Sequence, residues 1–239
     1  MENYTRVLLK LSGEMFGGKA GSVLNKENVS LFAEEISSLH SAGKEVGVVI
    51  GGGNIFRGTL ANEFNIERSD ADHMGMLATC INALALQAVL EKSHNLHTRV
   101  MTAVHMPELA EPYIMRKALK HLSKKRIVIF AGGTGNPLFT TDTAAALRAR
   151  ELGCQIVLKA TKVSGVYSGD PKLSKKAKKY SKISYLDVIA KRLNVMDATA
   201  ITMCMESNMP ILVFKADRKG SVLDALKNPS NATFVCSDT

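Results

Sequence analysis

The hydrophobic positions of this chain fall into two kinds of segment, short continuous runs and longer stretches with helical spacing. The short runs are rich in β-branched residues, a composition typical of strands that are buried on both faces. We predict strands at residues 6–11, 46–50, 99–103, 126–130, 156–158, 211–214 and 232–235.

The clearest helical pattern lies between the first two of these runs. Its apolar residues are spaced by three, four and three positions, at Val29, Phe32, Ile36 and Leu39. This spacing places them on one face of a helix, and Gly43 stands where such a helix would end. Similar patterns predict helices at residues 72–92, 108–122 and 142–152.

Strands that alternate with helices in this way predict a mainly parallel sheet with helices on both faces. We therefore expect an α/β fold, a three-layer αβα sandwich. With 239 residues, of which 46% are hydrophobic, the chain can build a sizeable core. We find no linker, repeat or low-complexity segment, and predict one domain over residues 1–239. The polar stretch 168–184 is predicted to form a loop or a hairpin.

The net charge of +9 is concentrated in two segments. Residues 112–141 contain six basic residues and residues 171–185 contain six lysines, with no acidic residue in either segment. A basic surface can bind nucleic acid, and a nucleic-acid-binding or regulatory protein is an alternative of a different class. The two segments lack interleaved aromatic residues and a recognition-helix motif. We interpret them as solvated surface and predict that no nucleic acid is needed for activity.

The four cysteines are far apart in the sequence, at Cys80, Cys154, Cys204 and Cys236. Close pairs of the kind that hold zinc or form a redox dithiol are absent, so we predict reduced, mostly buried thiols. The first apolar run is interrupted by Lys10 and does not make a secretory signal. No stretch is expected to be long enough to cross a bilayer. These observations predict a cytoplasmic protein that needs no membrane.

Three glycine-rich loops follow predicted strands, at residues 10–14 (KLSGE), 51–58 (GGGNIFRG) and 131–137 (AGGTGNP). Ligands of open α/β sheets bind beyond the carboxyl ends of the strands. Glycine loops at this edge present backbone N–H groups that can hold phosphate. A single such loop could be only a tight turn, but three of them predict a cleft for phosphorylated ligands.

Two familiar nucleotide-binding motifs nearly match the chain. Residues 13–19 have the spacing of a P-loop, but Ala20 stands where the P-loop has the Ser or Thr that holds magnesium. Gly51 and Gly53 begin a dinucleotide-binding pattern, but Phe56 replaces its third glycine. We therefore disfavour both a P-loop NTPase and a Rossmann dehydrogenase.

The glycine loops belong to longer blocks: LLKLSGE, GVVIGGGNIFRG, DHMGMLAT, GTGNPLFTTDTAA, KATKVSGVYSGDP and VMDATA. In combination, these blocks resemble the bacterial uridylate kinases of the amino-acid-kinase superfamily nearly from end to end. The resemblance implies phosphoryl transfer from ATP to UMP, which gives UDP and ADP in pyrimidine nucleotide biosynthesis. A carboxylate kinase of the same superfamily is the alternative, and the DHMGM and TGNPLFTT segments argue against it.

The resemblance also implies two substrate sites. The family's ATP-binding positions match Lys10, Leu11, Ser12, Gly13, Gly53, Arg57, Thr161, Tyr167 and Asp170. Its UMP-binding positions match Gly52, Asp72, Thr134, Gly135, Asn136, Pro137, Leu138, Phe139, Thr140 and Thr141. The N-terminal half would supply mainly the UMP site and the C-terminal half mainly the ATP site. Tyr167 and Asp170 could instead be a core tyrosine and a turn residue.

Three residues are predicted to be catalytic: Lys10, Arg57 and Asp142. The two cations would neutralise charge on the transferred phosphoryl group, and Asp142 matches the acid that orients the catalytic lysine in the family. Lys159 is expected to add charge near the phosphates. A simpler alternative for Asp72 and Asp142 is that each is only a helix N-cap.

Magnesium is the expected cofactor, bound with ATP, because it neutralises the phosphate oxygens. The sequence identifies no protein ligand for this metal. We predict no general base, since an oxygen of a nucleoside monophosphate is already anionic at neutral pH. The resemblance further implies a homohexamer and inhibition by UTP.

Overall fold

The computed structural model describes residues 4–18, 22–169, 171, 173–174 and 176–237. Within these ranges, nine strands form one sheet: β1 (Arg6–Leu11), β2 (Glu45–Ile50), β3 (Thr98–Thr102), β4 (Glu111–Pro112), β5 (Ile127–Ala131), β6 (Ile156–Thr161), β7 (Lys182–Ser184), β8 (Ile211–Lys215) and β9 (Ala232–Cys236). The strand order is β4-β3-β5-β2-β1-β6-β8-β9-β7. Only the β8–β9 pair among these is antiparallel, so the predicted mainly parallel sheet is confirmed.

The helices cover both faces of the sheet. They are α1 (Lys26–Ser41), α2 (Gly58–Glu63), α3 (Arg68–His94), α4 (Met115–Ser123), α5 (Thr141–Glu151), α6 (Tyr185–Ala190), α7 (Ala198–Glu206) and α8 (Ser221–Lys227). Neighbouring strand residues point to opposite faces: Leu9 belongs to the apolar cluster that includes residues of α1, α3 and α8, whereas Leu8 belongs to the cluster that includes residues of α4, α5 and α7. These two apolar clusters make the three αβα layers that the sequence predicts.

The seven predicted strands are all present, with small shifts at their ends. The largest shift is in β6, which extends beyond the predicted end at residue 158 to Thr161. The two strands that were not predicted, β4 and β7, have two and three residues and lie at the edges of the sheet. Strands this short carry too little hydrophobic pattern to be recognised.

The helix predicted at residues 108–122 is wrong in its first half. Its beginning is a turn, Glu111 and Pro112 form β4, which pairs with the end of β3, and α4 begins only at Met115. Pro112 explains the difference, because proline has no backbone N–H and biases the preceding residue, Glu111, toward extended geometry.

Helix α3 is longer than predicted, with 27 residues, Arg68–His94. An 18-residue stretch of this helix has a mean hydropathy of 1.4, so the helix is long and apolar enough, by length and composition alone, to cross a membrane. The expectation that no stretch is long enough was therefore wrong for this helix. Its buried face, which includes Ala83 and Leu86, packs in the core with α1 and β3, and this accounts for the apolar composition.

The first part of the polar stretch 168–184 is closed by an antiparallel bridge, and its last residues form β7. Tyr167 pairs antiparallel with Lys179, and the Tyr180 N–H donates to the Val166 carbonyl over 2.9 Å. This geometry agrees with the prediction of a loop or a hairpin. Asp170, a predicted ATP-binding residue, lies outside the described residues.

Candidate active site

A cluster of three charged side chains lies at the carboxyl edge of the sheet, and the side chains of Lys10, Asp142 and Lys159 are only 8%, 16% and 12% exposed. Lys10 on β1 is directly opposite Lys159 on the neighbouring parallel strand β6. The Lys10 Nζ is 2.6 Å from Asp142 Oδ1, and the Lys159 Nζ is 2.8 Å from Asp142 Oδ2. One carboxylate therefore bridges two ammonium groups, and we call this set the Lys10–Asp142–Lys159 cluster.

The electrostatics of the cluster keep its carboxylate ionised. Burial by itself would raise the pKa of Asp142, but the Lys10 and Lys159 ammonium groups outweigh it and lower that pKa. For Lys159, burial lowers the pKa and the Lys10 charge adds to this effect, while Asp142 and Asp197 act against it. Asp142 thus serves as a counter-ion that holds two cations, and it is unsuited to remove a proton.

Asp142 is not the N-cap of its helix, so that alternative is wrong. The N-cap of α5 is Thr140, whose Oγ1 accepts hydrogen bonds from the backbone N–H groups of Asp142 and Thr143. Because the threonine hydroxyl satisfies these N–H groups, the Asp142 carboxylate is free to point toward the two lysines.

Asp197, the N-cap residue of α7, stabilises the start of α5. The sequence analysis did not identify it as a site residue. It accepts hydrogen bonds from the hydroxyls of Thr140 and Thr143. Its Oδ1 also accepts from the Ala200 N–H over 2.8 Å, which caps α7. An aspartate directly before a helix is the signal that could have identified it.

The loops after β1 and β2 meet backbone to backbone beside Lys10. A Cβ atom on Gly13 would be 2.5 Å from the Gly51 carbonyl oxygen and 2.6 Å from the Gly53 nitrogen. These contacts are too close for any side chain, so glycine at position 13 allows the two loops to touch. The predicted ATP residues Lys10, Leu11, Ser12, Gly13 and Gly53 thereby come together.

Arg57 lies beside the same loops, at a more exposed position. Its Nε donates to the Gly53 carbonyl over 3.0 Å, and its guanidinium is 3.9 Å from the Glu14 carboxylate. Lys162 approaches the same carboxylate within 3.4 Å. Two exposed cations therefore flank Glu14 at the mouth of the cleft.

A cavity of about 220 Å³ opens at the carboxyl ends of β2 and β5, and we call it the acceptor cavity. It contains six of the predicted UMP residues: Gly52, Asp72, Leu138, Phe139, Thr140 and Thr141. The other predicted UMP residues, Thr134 to Pro137, belong to the same loop but do not line the cavity. Gly53, a predicted ATP residue, also lines it. The remaining lining residues were not assigned to UMP, although Phe56 and Gly133 lie in predicted glycine loops: Phe56, Arg68, Ala71, Gly75, Met76, Thr79 and Gly133.

Asp72 fixes one wall of the acceptor cavity. Its Oδ2 accepts a hydrogen bond from the Leu138 N–H over 2.8 Å. The proposed N-cap role of Asp72 is wrong, because α3 begins earlier, at Arg68 after the N-cap position Glu67. Gly52 forms another wall, where a Cβ would be 2.7 Å from the Gly75 carbonyl oxygen on α3.

A second cavity, of about 240 Å³, lies at the end of β8, and we call it the donor cavity. It is lined by Ser164, Lys179, Phe214, Lys215, Asp217, Arg218, Ser221, Asp224, Ala225 and Asn231. Two predicted ATP residues do not line this cavity but are next to residues that do: Thr161 is paired with Lys215 in the sheet, and the Tyr167 hydroxyl is 2.8 Å from Ser164 Oγ. The sequence carried no signal for the lining residues after β8.

The strand order places the charged cluster between the two cavities. The acceptor cavity is at β5 and β2, the two lysines are on β1 and β6, and the donor cavity is at β8, in the spatial order β5-β2-β1-β6-β8. Neighbouring strands are about 4.8 Å apart. Two ligands in these cavities could therefore meet at the cluster.

The described residues contain no group of three or more His, Cys, Asp or Glu side chains that could hold a metal ion. The acid nearest the cluster centre, Asp142, already contacts two ammonium groups. In nucleotide sites magnesium commonly takes one or two carboxylates and completes its coordination with phosphate oxygens and water. Such a site would form with the nucleotide and needs no cluster of three protein ligands.

Comparisons with known proteins identify the family of the chain. Residues 5–215 match the model of the Amino acid kinase family. The chain belongs to this family. It is 51% identical over 232 residues to a uridylate kinase of Roseobacter denitrificans, a match that covers 97% of this chain and 96% of the relative.

Solved structures of other family members have the same fold. The UMP kinase of Bacillus anthracis superposes with a TM-score of 0.95 at 41% identity and covers 100% of this chain and 98% of its own. The UMP kinase of Ureaplasma parvum superposes with a TM-score of 0.93 at 36% identity, and the match covers 98% of this chain and 100% of that one. The uridylate kinase of Archaeoglobus fulgidus superposes with a TM-score of 0.73 at 27% identity, and the match covers 96% of this chain and 99% of that one.

Proposed function

We propose that this chain transfers the γ-phosphoryl group of ATP to UMP, producing UDP and ADP for pyrimidine nucleotide biosynthesis. The observation that carries the proposal is the buried Lys10–Asp142–Lys159 cluster between two cavities at one sheet edge. We also propose that residues 1–239 act as one amino-acid-kinase domain. Its N-terminal half then supplies mainly the UMP site, and its C-terminal half supplies mainly the ATP site.

The reaction is a direct displacement at phosphorus. An oxygen of the UMP phosphate forms a bond to the γ-phosphorus, the bond from that phosphorus to the β–γ bridging oxygen breaks, and ADP leaves with the electron pair. Phosphoryl transfer needs alignment and neutralisation of charge more than covalent chemistry by the protein. Lys10 and Lys159 supply fixed positive charge, and Asp142 holds their ammonium groups in place before the substrates arrive.

In this proposal each nucleotide occupies one cavity. UMP lies in the acceptor cavity, with its ribose hydroxyls near Asp72 and its phosphate toward Lys10. The nucleoside of ATP lies in the donor cavity beyond Thr161 and Tyr167, while Arg57 and the Gly13 and Gly53 backbones contact its phosphates. Magnesium, carried on the ATP phosphates, reduces their negative charge when bound.

The proposal is tested by an ADP-release assay with Mg-ATP and UMP, CMP, AMP, aspartate or glutamate as the acceptor. We expect rapid turnover with UMP and little with the amino acids. A carboxylate kinase would show the opposite result, and turnover with an amino acid but not with UMP would overturn the assignment.

Asp72 offers a separate test of the acceptor cavity. In Asp72→Asn we expect the KM for UMP to rise by about tenfold, because hydrogen bonds to a charged acceptor are stronger than those to an amide. The KM for ATP should stay near that of the unmodified enzyme. Asp70→Asn is the matched control, since Asp70 is exposed on the same helix and does not line the cavity. Equal KM values for UMP in the two variants would remove Asp72 from the UMP site.

We propose that the enzyme forms a homohexamer and that the exposed face of α3 contributes to its subunit contacts. Met74, Leu77 and Ile81 are spaced along this face and are 40%, 52% and 49% exposed. Apolar side chains grouped on one helix face often mark protein–protein contacts.

Leu77→Asp should therefore shift the assembly to smaller species in light scattering coupled to size-exclusion chromatography. Burying the aspartate charge in an apolar subunit contact would cost free energy, because no opposite charge would be there to pair with it. Leu173→Asp is the control, because Leu173 is 88% exposed and lies far from α3 in the sequence. An unchanged mass for Leu77→Asp would show that this face is not an interface.

A cytoplasmic location and inhibition by UTP complete the proposal. All four cysteines are free thiols, as is usual for proteins of reducing compartments. UTP shares its uridine with UMP, so competition at the acceptor cavity is the simplest way in which it would inhibit. No nucleic acid or membrane is required for this activity.

A further inference from the structure

A buried carboxylate that the reaction does not use lies on the helix after the first glycine loop. Glu35 is in the middle of α1 and is only 2% exposed. A carboxylate is costly to bury unless hydrogen bonds replace its lost water. Glu35 therefore needs partners, and their location indicates what it does.

Both oxygens of Glu35 accept hydrogen bonds from the start of α8. The Gly220 N–H donates to Oε1 over 2.5 Å, and the Val222 N–H donates to Oε2 over 2.6 Å. Gly220, the N-cap residue of α8, is left-handed at φ 81° and has no side chain with which to cap the helix. Burial raises the pKa of Glu35, and the backbone N–H groups oppose this increase only in part. Glu35 thus provides from α1 the cap that α8 lacks.

The segment held by Glu35 forms most of the donor cavity. Six lining residues come from this short stretch: Lys215, Asp217, Arg218, Ser221, Asp224 and Ala225. Within it, the Ser221 hydroxyl donates to the Arg218 carbonyl over 2.6 Å, and the Arg218 guanidinium is 2.8 Å from the Asp224 carboxylate. A shift of the α8 terminus would therefore displace several cavity side chains together.

We propose that Glu35 is a positioning residue for the donor nucleotide, and that it sets the shape of the donor cavity by fixing the start of α8. The inference rests on the proposed placement of ATP in that cavity. Glu35 touches neither substrate, so it acts on ATP binding and not on the transfer step.

Glu35→Gln and Glu34→Gln make a matched pair of variants. Glutamine has nearly the same volume as glutamate, but its amide has only one oxygen. Its NH₂ group would therefore face one of the two backbone N–H groups, which would lose its acceptor. Glu34 is the preceding residue, is half-buried, and its carboxylate is 3.2 Å from the Lys219 ammonium group. We expect Glu35→Gln to raise the KM for ATP by about tenfold, since a hydrogen bond to a charged acceptor is lost. The KM for UMP, and kcat at saturating ATP, should remain near normal, and Glu34→Gln should change none of them.

Calorimetric binding of a non-hydrolysable ATP analogue separates this inference from the proposed function. It needs no turnover, so it reports on Glu35 even if UMP is not the acceptor. Weaker analogue binding by Glu35→Gln supports the inference. Unchanged binding by a folded Glu35→Gln variant, or KM values that rise equally for both substrates, would overturn it.

If Glu35→Gln does not fold, hydrogen exchange of the unmodified enzyme provides the test. The amides of Gly220 and Val222 should exchange more slowly when the ATP analogue is bound and should be unaffected by UMP. Exchange that does not respond to the analogue would contradict the inference.

Discussion

Lys10→Ala should lower kcat by about 100-fold or more, because removing one preorganised charge contact from a transition state has effects of this size. Lys10 is buried on β1, and its ammonium group is held 2.6 Å from Asp142 Oδ1. Its position is therefore fixed before the substrates bind. Steady-state kinetics with saturating ATP and UMP measure the effect.

The control for this variant is Lys191→Ala. Lys191 is 47% exposed and pairs with Asp187 on α6, outside both cavities. We expect Lys191→Ala to have normal kcat. If Lys10→Ala retained near-normal kcat, Lys10 would be a structural residue and the proposed role of the cluster would be wrong.

Asp142→Asn should have the second large effect, on both activity and stability. The amide is similar in size to the carboxylate but carries no charge, so Lys10 and Lys159 would face each other without a counter-ion. Removing one partner of a buried ion pair costs about 3–5 kcal/mol of folding stability. We expect a loss of this order in urea unfolding, and a fall in kcat of about 100-fold as the two ammonium groups move apart.

A double variant distinguishes repulsion from other causes of instability. Adding Lys159→Met to Asp142→Asn removes one of the two facing charges, so part of the lost stability should return although activity should not. Additive destabilisation by the two substitutions would show that the lysines do not repel each other, and the account of Asp142 as their counter-ion would fail.

The sequence predicts the sheet well because its central strands are short runs made mostly of apolar residues, although β1 and β6 each contain one lysine. It fails where a local residue overrides the pattern, as Pro112 does before α4, and where the pattern is too short, as in β4 and β7. The start of α3 at Arg68 was missed because its polar first turn, with Arg68, Ser69 and Asp70, contributes little hydrophobic periodicity.

Sequence analysis could identify those residues of the candidate site that lie in glycine loops or recognisable motifs, as Lys10 and Asp142 do. Contacts between distant elements were not. Lys159 was expected near the phosphates, but its contact with Asp142 depends on the pairing of β1 with β6. Asp197 hydrogen-bonds to Thr140, and Glu35 caps α8. Each contact joins elements that are far apart in the chain, so only the folded structure reveals it.

The central claim is that two nucleotides bind on either side of the Lys10–Asp142–Lys159 cluster and exchange a phosphoryl group there. An inhibitor that joins uridine to adenosine through a chain of phosphates tests it most directly. The account predicts that this compound competes with both ATP and UMP and binds one equivalent per chain more tightly than either nucleotide. Competition with only one nucleotide, or binding no tighter than that of ATP or UMP alone, would contradict the account.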